Sequence, residues 1–265
     1  MTAMQRRPGS TARQFVPTPG LQYKLIYLAR RNPALTADEF PAAWRSHAQL
    51  AGSFATSLGK HFLSSRQCVK RPLENLPEAF RNEYDGSTIL GMKSWDDLLA
   101  ARYHPHSLDE LQKDEERVFA GAVDDWTMAV EETAIVDGEP GDHVLLAFLA
   151  PARDAGDDFA GRSLALARDM AQAAPAATRI VWNRVVDPAS AYRFAAVTEC
   201  WFDSFDAAAR AAADPQLVAA LGQHGIADRD ASVRLFACIN PGRPLGTSDR
   251  PSTMDRNASH DGGGS

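Results

Sequence analysis

The sequence predicts an α+β chain in which one β-α-β-β-α-β unit is stated twice and the two sheets close on each other as a pseudo-symmetric barrel. Three observations carry this. Strand-like and helix-like runs recur in the same order before and after Asp137-Gly-Glu-Pro-Gly141. That stretch has the Gly and Pro that punctuate a chain at a boundary. A single unit would also cover only one face of its four-stranded sheet with helices, so the bare face needs a second sheet.

The first unit opens with a strand, Tyr23-Lys-Leu-Ile-Tyr-Leu-Ala29. A helix follows from Thr36 to about Leu58. Thr36 and Glu39 have the spacing of a capping box, Leu35 and Phe40 that of a hydrophobic staple, and Pro41 falls early enough for its missing N–H to cost little. Phe40, Trp44, His47, Leu50, Phe54 and Leu58 follow at helical steps, so they share one face. A second strand runs from about His61 to Val69 and a third over Ser87-Thr-Ile-Leu-Gly-Met-Lys93. Trp95-Asp-Asp-Leu-Leu then leads to a charged helical stretch from Ser107 to about Phe119, and a fourth strand spans Asp125 to Ile135. In the second unit the strands are His143 to Leu149, Arg179 to Val186, Arg193 to Phe202 and Ser232 to Ile239. Its helices are Asp158 to Ala173, a stretch after Asp203 to Arg210, and Gln216 to Gln223. The organisation is therefore a loose arm over 1–20, a first repeat over 21–137, a second over 138–240 and a disordered tail over 241–265.

Composition narrows the function. The 265 residues are 45% hydrophobic with a net charge of −6 and no basic stripe, which argues against a nucleic-acid or anionic-membrane partner. Three well-separated cysteines without zinc-like spacing point to a reduced, cytoplasmic setting. No apolar window has the length of a membrane span, and residues 1–20, with Arg6, Arg7 and Arg13 but no apolar run, do not read as a signal peptide. There is no GxGxxG after a strand, no GxxxxGK[ST] and no GxSxG. His104-Pro-His106 has no further ligand at metal spacing and reads as a Pro-broken surface loop, so no metal is expected.

The pattern Leu35-Thr-Ala-Asp-Glu-Phe-x3-Trp44-x2-His47-Ala48 after a strand, with Tyr84-Asp85-Gly86 and Glu199-Cys-Trp-Phe-Asp-Ser-Phe205, resembles the EthD-like branch of the dimeric α+β barrel (ferredoxin-like) superfamily. The resemblance implies a small-molecule protein of catabolism or polyketide-type tailoring, usually without a cofactor. Members of the branch are linked to ether degradation and to decarboxylation of aromatic polyketides. Superfamily relatives include cofactor-free monooxygenases, cyclases, lactone isomerases and heme enzymes. Aligning Phe159 with Phe40 puts Ser163 at the place of Trp44 and Leu166 at that of His47. The signature is thus absent from the second repeat, which leaves one site per chain with the second half as scaffold.

The lone histidine on an apolar helix face is the central candidate. It is either a packed, neutral core residue or a general base or acid in an apolar pocket. In the functional reading Trp44 and Phe54 form an aromatic wall, Asp85 is the carboxylate that orients His47, and Tyr27, Tyr84 or Tyr103 offers a phenol to the substrate; in the plainer reading Asp85 before Gly86 serves a turn and the tyrosines are packing residues. His61 lies near the barrel mouth. Arg66 could steer a carboxylate but reads better as a solvated edge charge, and Asp109 to Arg117 reads as a solvated face over a core stripe of Leu108, Leu111, Val118 and Phe119. The expected chemistry is cofactor-independent proton transfer (a lyase, decarboxylase or isomerase) on an apolar, aromatic or oxygenated metabolite. The alternatives are an oxidoreductase, either cofactor-free or with heme on His47, and a non-catalytic carrier. Tandem halves allow a monomer or a homodimer.

Overall fold

The computed structural model describes residues 15–53, 59–73, 77–80, 82–103, 110–189, 192–221 and 226–240. Their elements are β1 (Gln22–Ala29), α1 (Phe40–Ser53), β2 (Phe62–Lys70), β3 (Gly86–Met92), α2 (Trp95–Arg102), α3 (Glu110–Val118) and β4 (Met128–Val136), then β5 (His143–Leu149), α4 (Phe159–Ala173), β6 (Arg179–Asp187), β7 (Ala196–Phe202), α5 (Phe205–Ala213), α6 (Pro215–Leu221) and β8 (Val233–Ile239). Predicted Phe54, Leu58, His104, His106 and Leu108 lie outside the described residues.

The eight strands form one closed antiparallel barrel in the order β1-β3-β2-β8-β5-β7-β6-β4. Within each half the fourth strand lies beside the first and the third separates the first from the second. The halves are joined where β2 meets β8, with Cys68 opposite Ile239, and where β4 meets β6, with Glu132 opposite Asn183. Closure removes the bare faces and the free edges together.

Strand alternation sorts the side chains. On β1, Tyr23, Leu25 and Tyr27 pack outward into the helical layer, whereas Ile26 and Leu28 fill the interior. The start of α1 is held as its sequence predicts. Thr36 N–H donates to Glu39 Oε2 at 2.8 Å, Glu39 N–H returns to Thr36 Oγ1 at 3.3 Å, and Leu35 packs against the cluster that contains Phe40. Ser94 and Ser204 cap α2 and α5 by accepting from Asp97 N and Ala207 N.

α1 begins at Phe40, since Ala37 to Glu39 form a turn after Thr36, and two strands start later than expected. The fourth strand begins at Met128 because Val123–Asp125 winds into a 3-10 turn, with Thr127 Oγ1 donating to Val123 O at 2.8 Å. The strand expected from Arg193 begins at Ala196, since Phe194 joins Tyr192 and Phe148 in closing one end of the barrel. Among the described residues no helix is long and apolar enough to cross a membrane.

Candidate active site

α1 lies over the outer face of the first-half sheet and against α3, and three of the predicted residues meet there. Trp44 is fully buried, stacked on Phe40 with ring centroids 5.0 Å apart. Its seat on the sheet depends on Gly86, where a Cβ would stand 2.6 Å from the Trp44 ring and 2.5 Å from the Cys68 carbonyl oxygen. The glycine of Tyr84-Asp85-Gly86 therefore serves the indole as well as the turn. Beneath it lies Tyr27 on β1, whose hydroxyl burial pushes up to about 12 against the opposing influence of Thr88 and Trp44. Trp44 Nε1 and Thr88 Oγ1 are buried beside it without a hydrogen bond of good geometry. Both face the Tyr27 hydroxyl, so the three polar groups form one buried cluster in an aromatic setting.

His47, one turn after Trp44, is 8% exposed. Its ring stands edge-on to Phe119, 5.3 Å between centroids, and its Nδ1 lies 2.9 Å from Asp114 Oδ2. Burial lowers the imidazole's pKa from its usual 6.5 and outweighs the opposite pull of Asp114. Burial works to raise the Asp114 carboxyl, but Arg117 and His47 outweigh it and hold it below the usual range. Arg117 supplies Nε to Asp114 Oδ1 at 2.8 Å and an Nη to Oδ2 at 3.2 Å. A neutral imidazole against an ionised carboxylate donates from Nδ1, so Nε2 carries the lone pair. The arrangement can take a proton at Nε2 and spread the resulting charge onto Asp114.

Asp85 is not the carboxylate that holds His47. It lies in the turn before β3, where Arg31 N–H donates to Oδ2 at 2.9 Å and the Arg31 guanidinium pairs with Oδ1. It ties the end of β1 to the start of β3, the usual work of an Asp in a turn. The structure does not bring Tyr84, Tyr103 or His61 to His47 either. Tyr84 stands edge-on to Tyr192 at the closed end of the barrel, Tyr103 follows α2, and His61 bonds Asp97 at 2.6 Å.

The sequence reading missed Asp114, which it placed on a solvated face, and Thr88. The signal for Asp114 was present. Leu111, Asp114 and Val118 are three and four residues apart, so they share the stripe of α3 that turns inward. Among the described residues no group of three or more His, Cys, Asp or Glu could hold a metal ion.

Comparison with known proteins adds the following. Residues 32–122 match the model of the EthD domain, a span that contains Trp44, His47, Thr88, Asp114 and Phe119. No curated protein matches the chain. Among solved structures, an anthrone oxidase-like protein aligns with a TM-score of 0.53 and 11% identity over 84% of this chain and 92% of its own. A candidate monooxygenase from Fusobacterium nucleatum aligns at 0.51 and 6% identity, over 84% and 94%. At such identities the likeness is one of fold.

Proposed function

We propose, from the match of residues 32–122 to the EthD domain and the geometry around His47, that the protein is a small-molecule enzyme in which His47 exchanges a proton with an apolar, aromatic or oxygenated substrate. The observation that supports it is the neutral His47 held by ionised Asp114 against Phe119, whose ring also packs on Trp44. Nε2 would remove a proton from carbon next to a carbonyl or phenol. The same nitrogen would return it to another carbon in an isomerisation; in a decarboxylation, Nε2 protonated from solvent would instead deliver that proton to the carbanion left when the C–C bond to the departing carbon dioxide breaks. Tyr27, held protonated, and Trp44 Nε1 are donors that could steady the enolate oxygen. Asp114 is a positioning residue in this scheme.

We read the two halves as tandem copies of which only the first keeps the site. On α4, Ser163 and Leu166 hold the positions of Trp44 and His47, and both are buried core residues, Ser163 accepting from Trp182 Nε1 at 3.2 Å.

A second reading is oxygenation of an electron-rich aromatic, favoured by the wall of Trp44, Phe119 and Tyr27, which would keep water from a carbanion that meets dioxygen. The names of the two structural neighbours point the same way. If heme were used, His47 Nε2 is the nitrogen left to ligate, since Asp114 occupies Nδ1 as the carboxylate partner of ligating histidines commonly does.

Anthrone separates these readings as a probe. Deuterium uptake at its acidic carbon under nitrogen reports proton transfer, and oxygen uptake in air reports oxygenation. The absorption spectrum of the purified protein, which a Soret band would dominate, is recorded first. His47→Ala should lower the catalysed rate by about 10²- to 10⁴-fold. Equal rates in the variant would overturn the role of His47, and binding without exchange or oxygen uptake would favour a carrier.

A further inference from the structure

The interior of the barrel is not uniform along its axis. Around Leu28 and Phe148 it is filled by apolar side chains, and Tyr192 closes that end by donating to Leu28 O at 3.2 Å. At the other end, where β1 starts and β7 finishes, the inward positions are charged and the barrel opens into a cavity of about 520 Å³. That is the size of a small-ligand site.

The floor of this cavity is an ion network. Lys24 Nζ lies 2.6 Å from Glu132 Oε2 and 2.6 Å from Glu199 Oε1, and Arg179 pairs with Glu132 and with Asp137 on the rim. Glu199 also accepts from Asn183 Nδ2 at 2.9 Å and Trp201 Nε1 at 2.8 Å. Burial works to raise its carboxyl, but Lys24 and these donors outweigh it and keep it ionised. Apolar side chains of similar volume would serve stability as well as buried charges do, so a charged floor beneath an open cavity points to binding.

Arg66 is the odd member. Its guanidinium lies 5.7 Å from the Trp201 ring centre and donates to Ser64 Oγ at 3.1 Å, and among the described residues it has no ion pair. Local backbone shapes this perch. The register of β2 against β3 shifts between Phe62 and Ser64, a bulge of the kind that re-aims side chains. Opposite, Gly91 leaves room for Ser64, since a Cβ there would stand 2.6 Å from the hydroxyl. Leu63 is left on the rim, 54% exposed.

We propose that this end of the barrel binds a small aromatic monocarboxylate, its carboxylate on Arg66 and its ring against Leu63 and Trp201. Of the three cations that line the cavity, Lys24 is paired with Glu132 and Glu199 and Arg179 with Glu132 and Asp137, so Arg66 is the one left, among the described residues, to meet a ligand's carboxylate. Asp137 and Glu139 on the rim disfavour a second negative charge. The site is separate from His47, because Lys24 turns inward from β1 where Tyr27 turns out toward the helices.

Benzoate and its neutral isostere benzamide test the assignment by titration calorimetry. Benzoate should bind the wild-type chain, and benzamide at least about tenfold more weakly. Arg66→Gln should weaken benzoate by a similar factor and Arg66→Lys by less, while His47→Ala should leave it unchanged. Far-UV circular dichroism and Tm establish that each variant is folded; if Arg66→Gln is not, the benzoate–benzamide contrast on the wild type still decides. Equal binding of the two probes, equal binding to folded Arg66→Gln, loss of benzoate in His47→Ala, or no heat from benzoate up to about 10 mM would each overturn the proposal.

Discussion

Replacing Asp114 by Asn should switch the tautomer of His47. The carboxylate serves two neighbours, Arg117 Nε on Oδ1 at 2.8 Å and His47 Nδ1 on Oδ2 at 2.9 Å. An amide keeps only one oxygen. Arg117 can only donate, so it claims that oxygen at the Oδ1 position, where its shorter bond lies, gives up the 3.2 Å contact of its exposed Nη with the other position, and turns the NH₂ toward His47. Nδ1 must then accept, the proton moves to Nε2, and the lone pair needed for base catalysis is gone. The imidazolium also loses its counter-charge at a site where His47 is 8% exposed. A hydrogen bond to a charged group is worth about 1.5–3 kcal/mol, so the protonated form should become about tenfold to a hundredfold rarer at a given pH. Long-range ¹H–¹⁵N correlation of the imidazole reads tautomer and titration together, with no substrate required. Asp85→Ala is the control, because Asp85 contacts Arg31 and not His47. If His47 in Asp114→Asn keeps an unprotonated Nε2 and titrates as in the wild type, the orienting role of Asp114 is refuted. A change caused by Asp85→Ala would instead restore the pairing first expected from the sequence.

Gly86→Ala should destabilise by at least about 1–3 kcal/mol, because the new methyl meets a backbone oxygen at 2.5 Å and the Trp44 ring at 2.6 Å; urea unfolding followed by indole fluorescence would show a lower midpoint and an altered folded-state emission. Lys24→Met leaves Glu199 without a counter-charge inside the barrel, while Glu132 keeps Arg179, and should cost about 3–5 kcal/mol, measured by the same unfolding curves, whereas an unchanged midpoint would mean that the network is solvated. The pH dependence has a definite sign at His47. Its pKa in the folded chain lies below the usual 6.5, so the unfolded chain binds the proton first. The contribution is complete above about 6.5 and is lost as pH falls from there through the lower folded value. Wild type should therefore lose more stability than His47→Gln between about pH 7 and 5, and parallel curves would show that burial leaves the imidazole unperturbed.

Much of the fold was legible because its signals are local. The Thr36–Glu39 box, the step pattern from Phe40 to His47 and the Gly-Pro turn at 137–141 each act within a few residues, and each appears in the structure where the sequence puts it. The same locality explains the partial success at the site. Trp44 and His47 share a helix face by spacing alone, and Tyr27 joins them because β1 alternates beneath that helix. Of the two readings open for Asp85, the turn is the one the structure bears out, with Arg31 on its carboxylate. Asp114 was passed over because seven of the nine residues from Asp109 to Arg117 are charged, which hides the one that the 3.6-residue period turns inward.

The charged end of the barrel lay further out of reach. Lys24 and Glu199 are 175 positions apart, and their meeting follows only from closure of the sheet. Yet each leaves a mark on its own strand. β1 has a single charge within a run buried on both faces, and so has β7. A strand can afford such a charge only if an opposite charge waits in the interior. One basic and one acidic residue of this kind in different halves therefore implies that the two halves share one interior, which is the closed barrel observed. Arg66 escapes even this reasoning. Its strand is half-buried from Ser64 to Gln67 with no apolar alternation to give it a face, so it reads as an edge charge until the bulge at Leu63 and the gap at Gly91 show that Ser64 holds it over Trp201.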